Sequence, residues 1–215
     1  MCGIVAAIAQ RNVVPLLIDG LRRLEYRGYD SAGLAYITAD AGLIRERSVG
    51  KVASLADILS NSHVGQLGIA HTRWATHGRP SESNAHPHVS TDRIAVVHNG
   101  IIENYQEIRE SLLAEGYDFD SETDTEIIGH LIHREIAAHG SMLEAVRAAV
   151  RQFEGSYSLA ILDLEHPDRL WGVRRGSPLV IGVGIGEYFL ASDAAALVPL
   201  TQQMIYLEDG DIAEV

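Results

Sequence analysis

The sequence predicts an α+β fold in which mainly antiparallel sheets carry helices on their outer faces. Apolar runs of strand length come in two blocks, before residue 99 and after residue 156. Between them lies a block of helical periods, and such segregation differs from the strict alternation of a doubly wound nucleotide fold. The 215 residues are 47% apolar and 21% charged, which is enough chain to bury a self-sufficient core. No repeat, low-complexity tract or Pro/Ser-rich linker divides the chain, so residues 1–215 read as one domain.

GIVAAIA (3–9) is a short apolar run read as a buried strand. Val14, Leu17, Leu21 and Leu24 recur at helical spacing, with Pro15 tolerated in the first turn, and this helix should end near Gly28. LAYIT (34–38) and LIRERSV (43–49) read as strands about a hairpin turn at 39–42, followed by strands LGIAH (67–71) and IAVVH (94–98). Tyr105, Ile108 and Leu112 line one face of a helix that stops at Gly116. Thr123 with Glu126, and Ser141 with Glu144, have capping-box spacing and should open two more helices, closed by Gly140 and Gly155. Strands return as SLAILD (158–163), RLWGV (169–173), PLVIGVG (178–184), EYFLA (187–191), MIYLE (204–208) and DIAEV (211–215), with a short helix near 193–197. Gly182, Gly184 and Gly186 miss dinucleotide-loop spacing and fit a turn between paired strands. The last strand reaches Val215, so the chain is expected to be cut at a domain edge.

The net charge of −12, with only Arg22-Arg23 and Arg174-Arg175 as basic doublets, argues against a nucleic-acid partner. A small substrate or a protein partner fits better. The N-terminal apolar run stops at Gln10, too short for a signal peptide or membrane span, and the single cysteine suits a reducing compartment, so a cytoplasmic location is expected.

Four clusters could carry chemistry. Removal of the initiator methionine would give Cys2 a free α-amine, pairing a thiol with a base whose reference pKa is about 7.7–8.0. The alternative is an inert cysteine at the start of a core strand. In His71-Thr72-Arg73-Trp74-Ala75-Thr76-His77-Gly78 the Arg73 fork can grip a carboxylate and Trp74 can exclude water, although a surface Arg-Trp pair can also be structural. In His98-Asn99-Gly100 the Asn99 amide and the Gly100 N–H can point at one oxyanion, or the pair can be a plain turn. Asp124, within Ser121–Glu126, could hold an ammonium group, or simply favour a helix first turn. Histidines 71, 77, 86, 88 and 98 match no common zinc spacing, so neither metal nor cofactor is expected.

Taken together, Cys2-Gly3-Ile4, YRGYDSAG (26–33), HTRWATHG (71–78), His98-Asn99-Gly100 and SETDTE (121–126) resemble the class II glutamine amidotransferases over essentially the whole chain. YRGYDSAG, SETDTE and GSPLVIG (176–182) resemble the branch whose full-length members aminate fructose 6-phosphate. The resemblance implies a four-layered αββα sandwich of the N-terminal nucleophile type and hydrolysis of L-glutamine through a γ-glutamyl thioester. It implies Cys2 as nucleophile, its α-amine as base, and Asn99 and Gly100 as the oxyanion hole. Arg73 and Asp124 would hold the α-carboxylate and α-ammonium, Thr76 and His77 would line the pocket, Trp74 would lie in the closing loop, and Arg27 would stand behind the site. It also implies a following sugar-phosphate isomerase domain that this chain lacks. Another class II glutaminase, or a catalytically silent sensing domain, are the alternatives.

Overall fold

A strand as uniformly apolar as GIVAAIA is stable only with both faces covered, and the chain covers it. The computed structural model describes residues 2–40, 42–59, 62–74 and 78–215. In chain order it contains β1 (Gly3–Ala9), α1 (Val14–Leu24) continued by a 3₁₀ turn (Glu25–Arg27), β2 (Ser31–Ile37), β3 (Leu43–Val49), α2 (Val52–Ile58), β4 (Leu67–Arg73), β5 (His88–Ser90) and β6 (Ile94–Ile102). The helices α3 (Tyr105–Ala114), α4 (Glu126–His139) and α5 (Met142–Val150) follow. The chain then forms β7 (Gly155–Asp163), β8 (Trp171–Arg175), β9 (Val180–Val183), β10 (Glu187–Ala191), a second 3₁₀ turn (Ala194–Ala196), β11 (Gln203–Tyr206) and β12 (Ile212–Glu214).

Among the described residues these strands make a seven-stranded sheet, ordered β11-β9-β10-β1-β4-β2-β3, and a five-stranded sheet, ordered β12-β8-β7-β6-β5. Every pairing is antiparallel. Period-two alternation sends Ile4 and Ala6 of β1 to a core shared with Ala95, Val97, Ala160 and Leu162 of the smaller sheet. The intervening Val5 and Ala7 pack against Leu17 and Leu21 of α1. On the far side, Val96, Leu159 and Ile161 meet Ile128, Leu131 and Val146 of α4 and α5. The order of layers is therefore helices, sheet, sheet, helices, as the resemblance implies. No described helix is long and apolar enough to cross a membrane.

Several local expectations are corrected. β6 does not stop at His98 but runs on to Ile102, with Asn99 opposite Ser158 and Gly100 opposite Tyr157, so the Asn-Gly pair lies within a strand and not in a turn. Neither capping box forms. The Glu126 carboxylate instead accepts the backbone N–H groups of Asp120 (3.0 Å) and Ser121 (2.8 Å) and the Ser121 hydroxyl (2.7 Å), while Thr123 bonds Ser121 and His88. Thr125 becomes the residue before the helix. Ser141 does precede α5, but without a capping bond from its side chain, and Glu144 pairs with Arg147. Gly140 closes α4 in the left-handed region as expected, whereas Gly155 opens β7 and leaves Arg151 at the end of α5. α2 and β5 are additional: the first buries only Val52 and Leu55, and the second is three residues long.

Candidate active site

Cys2 immediately precedes β1, and the pairing of Gly3 with Thr72 sets it beside the end of β4. The Trp74 backbone brackets its thiol: the Trp74 N–H donates to Sγ at 3.2 Å, and the thiol faces the Trp74 carbonyl at 3.5 Å. Burial raises the thiol pKa above its ordinary value, only partly opposed by the bond from Trp74. A thiol in that state needs a base before it can act as a nucleophile. The Trp74 ring lies against Gly28 and is 53% exposed, on the wall of the cavity that Cys2 also lines.

Across the sheet interface, β6 contributes the oxyanion candidates. Asn99 Nδ2 donates to the Cys2 carbonyl at 3.2 Å, and Asn99 Oδ1 lies 2.9 Å from His71 Nε2. Gly100 has φ +119°, and an added Cβ would stand 2.0 Å from the Ser156 carbonyl oxygen, so only glycine lets the strand pass this close to its neighbour. The two charged candidates come from β4 and the loop before α4. Arg73 is 4% exposed, with Nη1 3.5 Å from Asp30 and Nη2 donating to the Gly78 carbonyl at 3.1 Å. Asp124 accepts the Ile102 N–H at 2.9 Å and lies 3.9 Å from His98 Nδ1. One carboxylate and one guanidinium are thus held at fixed positions by backbone groups.

Cys2, Arg73, Trp74, Gly100 and Asp124 line one small cavity of about 20 Å³, together with His86, His98, Thr123 and Thr125. Asn99 reaches it through the Cys2 carbonyl. Larger cavities exist, such as one of about 280 Å³ between α1 and α2, but that one gathers no nucleophile or oxyanion donor. Arg27 is not among the residues that line this cavity. It lies 3.7 Å from Asp193 and lines a separate cavity of about 380 Å³ with Arg174 and Tyr206. Thr76 and His77 lie outside the described residues.

The histidines are the part of the site that spacing did not place. His71 and His86 stack with ring centroids 4.2 Å apart, and His98 Nδ1 bonds Thr125 Oγ1 at 2.9 Å, which in turn lies 3.2 Å from His86 Nε2. Complete burial holds the His71 pKa down to about 3, and His86 and His88 are pushed well below the usual histidine value for the same reason. Among the described residues, no group of three or more His, Cys, Asp or Glu is arranged to hold a metal ion. The only trace of this cluster in the sequence is the recurrence of histidine in the segments that become β4, β5 and β6.

Comparison with known proteins bears on this arrangement. A family model described as "Glutamine amidotransferase domain" matches residues 71–199. The glutamine–fructose-6-phosphate aminotransferase (isomerizing) of Idiomarina loihiensis is 59% identical over 216 aligned positions, covering 100% of this chain and 35% of that protein. The protein of the same name from Pseudomonas aeruginosa is 57% identical over the same coverage. The chain therefore spans about a third of the length of the curated relatives it matches. Among solved structures, glutamine phosphoribosylpyrophosphate amidotransferase from B. subtilis, complexed with ADP and GMP, superposes with a TM-score of 0.81 at 22% identity, over 100% of this chain and 49% of that one. A structure described as the allosteric regulatory enzyme of purine biosynthesis gives 0.85 at 24%, over 99% and 46%. These likenesses show the fold, an αββα sandwich of two antiparallel sheets between layers of helices.

Proposed function

The chain belongs to the family of glutamine amidotransferase domains, and from that premise we propose that residues 1–215 form the glutaminase part of a longer aminotransferase. The reading is that it splits L-glutamine into L-glutamate and ammonia. The observation that carries it is the convergence on one cavity of the Cys2 thiol, the Gly100 backbone, the Arg73 guanidinium and the Asp124 carboxylate, with the Asn99 amide against Cys2 itself.

As encoded, the nitrogen of Cys2 is in a peptide bond to Met1, so removal of Met1 is the first requirement. The freed α-amine takes the proton of a thiol whose burial disfavours ionisation. Cys2 Sγ then bonds to the side-chain amide carbon of glutamine, and the carbonyl oxygen becomes an oxyanion facing Asn99 Nδ2 and the Gly100 N–H. The C–N bond breaks as the ammonium of Cys2 returns its proton to the leaving nitrogen, giving ammonia and a γ-glutamyl thioester. Water, deprotonated by the same amine, attacks the thioester carbon, and the collapse releases glutamate and restores the thiol. Arg73 and Asp124 are assigned to the α-carboxylate and the α-ammonium, which would fix the side chain of the substrate over Sγ.

The relatives' printed name describes amino transfer from glutamine to fructose 6-phosphate. We assign the same destination to the ammonia released by this chain when it is joined to the remainder of such an enzyme. The test uses protein whose intact mass shows Met1 absent. It should release glutamate from glutamine with no sugar phosphate added, and Cys2→Ala should abolish turnover without changing the melting curve. Glutamate release by the alanine variant at the parent rate would overturn the reading. Failure of the full-length enzyme to aminate fructose 6-phosphate would overturn only the assigned acceptor.

A further inference from the structure

We propose that His71 is a positioning residue for catalysis: from β4 it fixes the Asn99 amide so that its NH₂ end, and not its oxygen, faces the carbon that Cys2 attacks. This rests on the reading of Asn99 as an oxyanion donor and adds the group that makes it one.

A carboxamide is ambiguous, because its two ends have similar shape and opposite hydrogen-bonding character. Turned the wrong way, Asn99 would present an acceptor to a developing negative charge. The contacts of Asn99 remove the ambiguity. The end near Cys2 lies 3.2 Å from a backbone carbonyl, which can only accept, so that end must be Nδ2. The other end is therefore Oδ1, and the group 2.9 Å from it, His71 Nε2, must carry a hydrogen. The tautomer of His71 follows from the chemistry of its neighbours.

The ring is well placed to enforce this. His71 is fully buried, pairs in register with Ile4 on β1 and Gly33 on β2, and has its plane set by the stack on His86 at 4.2 Å and 20°. Asn99 belongs to the opposite sheet. The bond thus carries the packing of one sheet on the other directly to the reacting centre. Burial also prevents the ring from charging near neutral pH, so it remains a single-proton donor.

The test measures glutamine hydrolysis by the Met1-free protein carrying His71→Leu, His71→Asn or His71→Gln, with and without Asn99→Ala. A glutamine side chain sets its amide nitrogen near the place of the histidine Nε2, whereas an asparagine amide falls short of Asn99. Expected are a fall in kcat of about 10- to 100-fold for the Leu and Asn variants with KM changed less than about threefold, and recovery of most of that loss in the Gln variant. In the Asn99→Ala background, none of the three should lower kcat further, because the group they act through is gone. The Asn and Gln variants are both polar, so their comparison holds even if the leucine variant does not fold. Equal kcat for Asn and Gln, or multiplicative losses with Asn99→Ala, would overturn the role of His71 and leave the oxyanion reading standing. A parent-level kcat for Asn99→Ala alone would overturn the oxyanion reading, and the proposal with it.

Discussion

Arg73 and Asp124 carry opposite charges on the wall of one cavity, yet each also has work to do in the protein, and this makes them the most discriminating residues to change. Arg73 is tied to Asp30 and the Gly78 carbonyl, and Asp124 holds the Ile102 N–H. A lysine keeps the charge of Arg73 but loses its planar fork. Arg73→Lys should therefore raise KM for glutamine by about tenfold, equivalent to about 1.4 kcal/mol of binding, and Asp124→Asn should do likewise. Altered substrates separate binding from architecture. The parent protein should discriminate strongly against glutamine amidated at its α-carboxyl, and the Arg73 variant should lose most of that preference. The Asp124 variant should correspondingly lose its preference for glutamine over the analogue without an α-amine. Folded variants that keep the full parental discrimination would make both residues structural, and the substrate's charges would have to be read elsewhere.

At the scale of elements, β6 carries the consequence. Gly100 combines φ +119° with a backbone oxygen of the adjacent strand β7 that would stand 2.0 Å from any added Cβ, and a backbone atom cannot rotate away as a side chain would. Gly100→Ala should destabilise the fold by about 3 kcal/mol, lowering Tm by roughly 6–12 °C, and should lower kcat by displacing the N–H proposed as an oxyanion donor. Gly116→Ala is the control. That glycine has φ +90° but nothing within 4 Å of the added carbon, so only backbone strain applies and about 1 kcal/mol is expected. Equal Tm shifts for the two variants would show that strand proximity contributes nothing at Gly100. The same strand shows how far the sequence could be read. The apolar run 94–98 marked β6, but nothing local says that a strand continues through His98-Asn99-Gly100, because the pairing with β7 that sustains it lies nearly sixty residues away in the chain. Glu126 likewise had capping spacing from Thr123, yet its carboxylate is drawn to the backbone of Asp120 and Ser121, a loop whose position tertiary packing decides. The short α2 escaped because two buried residues do not make a helical period. Cys2, Arg73, Asp124 and the Asn-Gly pair were legible as candidates from motif chemistry, while the bond from His71 to Asn99 was not, since it joins strands of different sheets.

The whole molecule holds a row of neutral histidines where its two sheets meet, and this predicts how it unfolds in acid. His71 lies on the larger sheet and His88 on the smaller, with His86 stacked between ring neighbours, and all three are fully buried by their surroundings. Burial depresses each pKa, to about 3 for His71 and well below the usual value for His86 and His88. In the unfolded chain each should titrate near about 6.5, so below that pH the unfolded state binds more protons than the fold. The stability they confer is complete above about pH 6.5 and is lost as pH falls toward their folded values. Each contributes a slope of up to about 1.4 kcal/mol per pH unit, and three together up to about 4, against a total stability of about 5–15 kcal/mol. Asp163, whose burial is outweighed by its bonds to Arg93 and His166, is held low and adds its loss only below about pH 4. The net charge of −12 acts in the other direction, because acid reduces self-repulsion and by itself would stabilise the fold. The sign of the change between pH 7 and 5 therefore decides which effect wins. The urea midpoint should fall steeply over that interval, with a slope corresponding to more than one proton taken up on unfolding. A midpoint that is flat or rises from pH 7 to 5 would mean that relief of self-repulsion outweighs the cost of keeping these rings neutral in the fold.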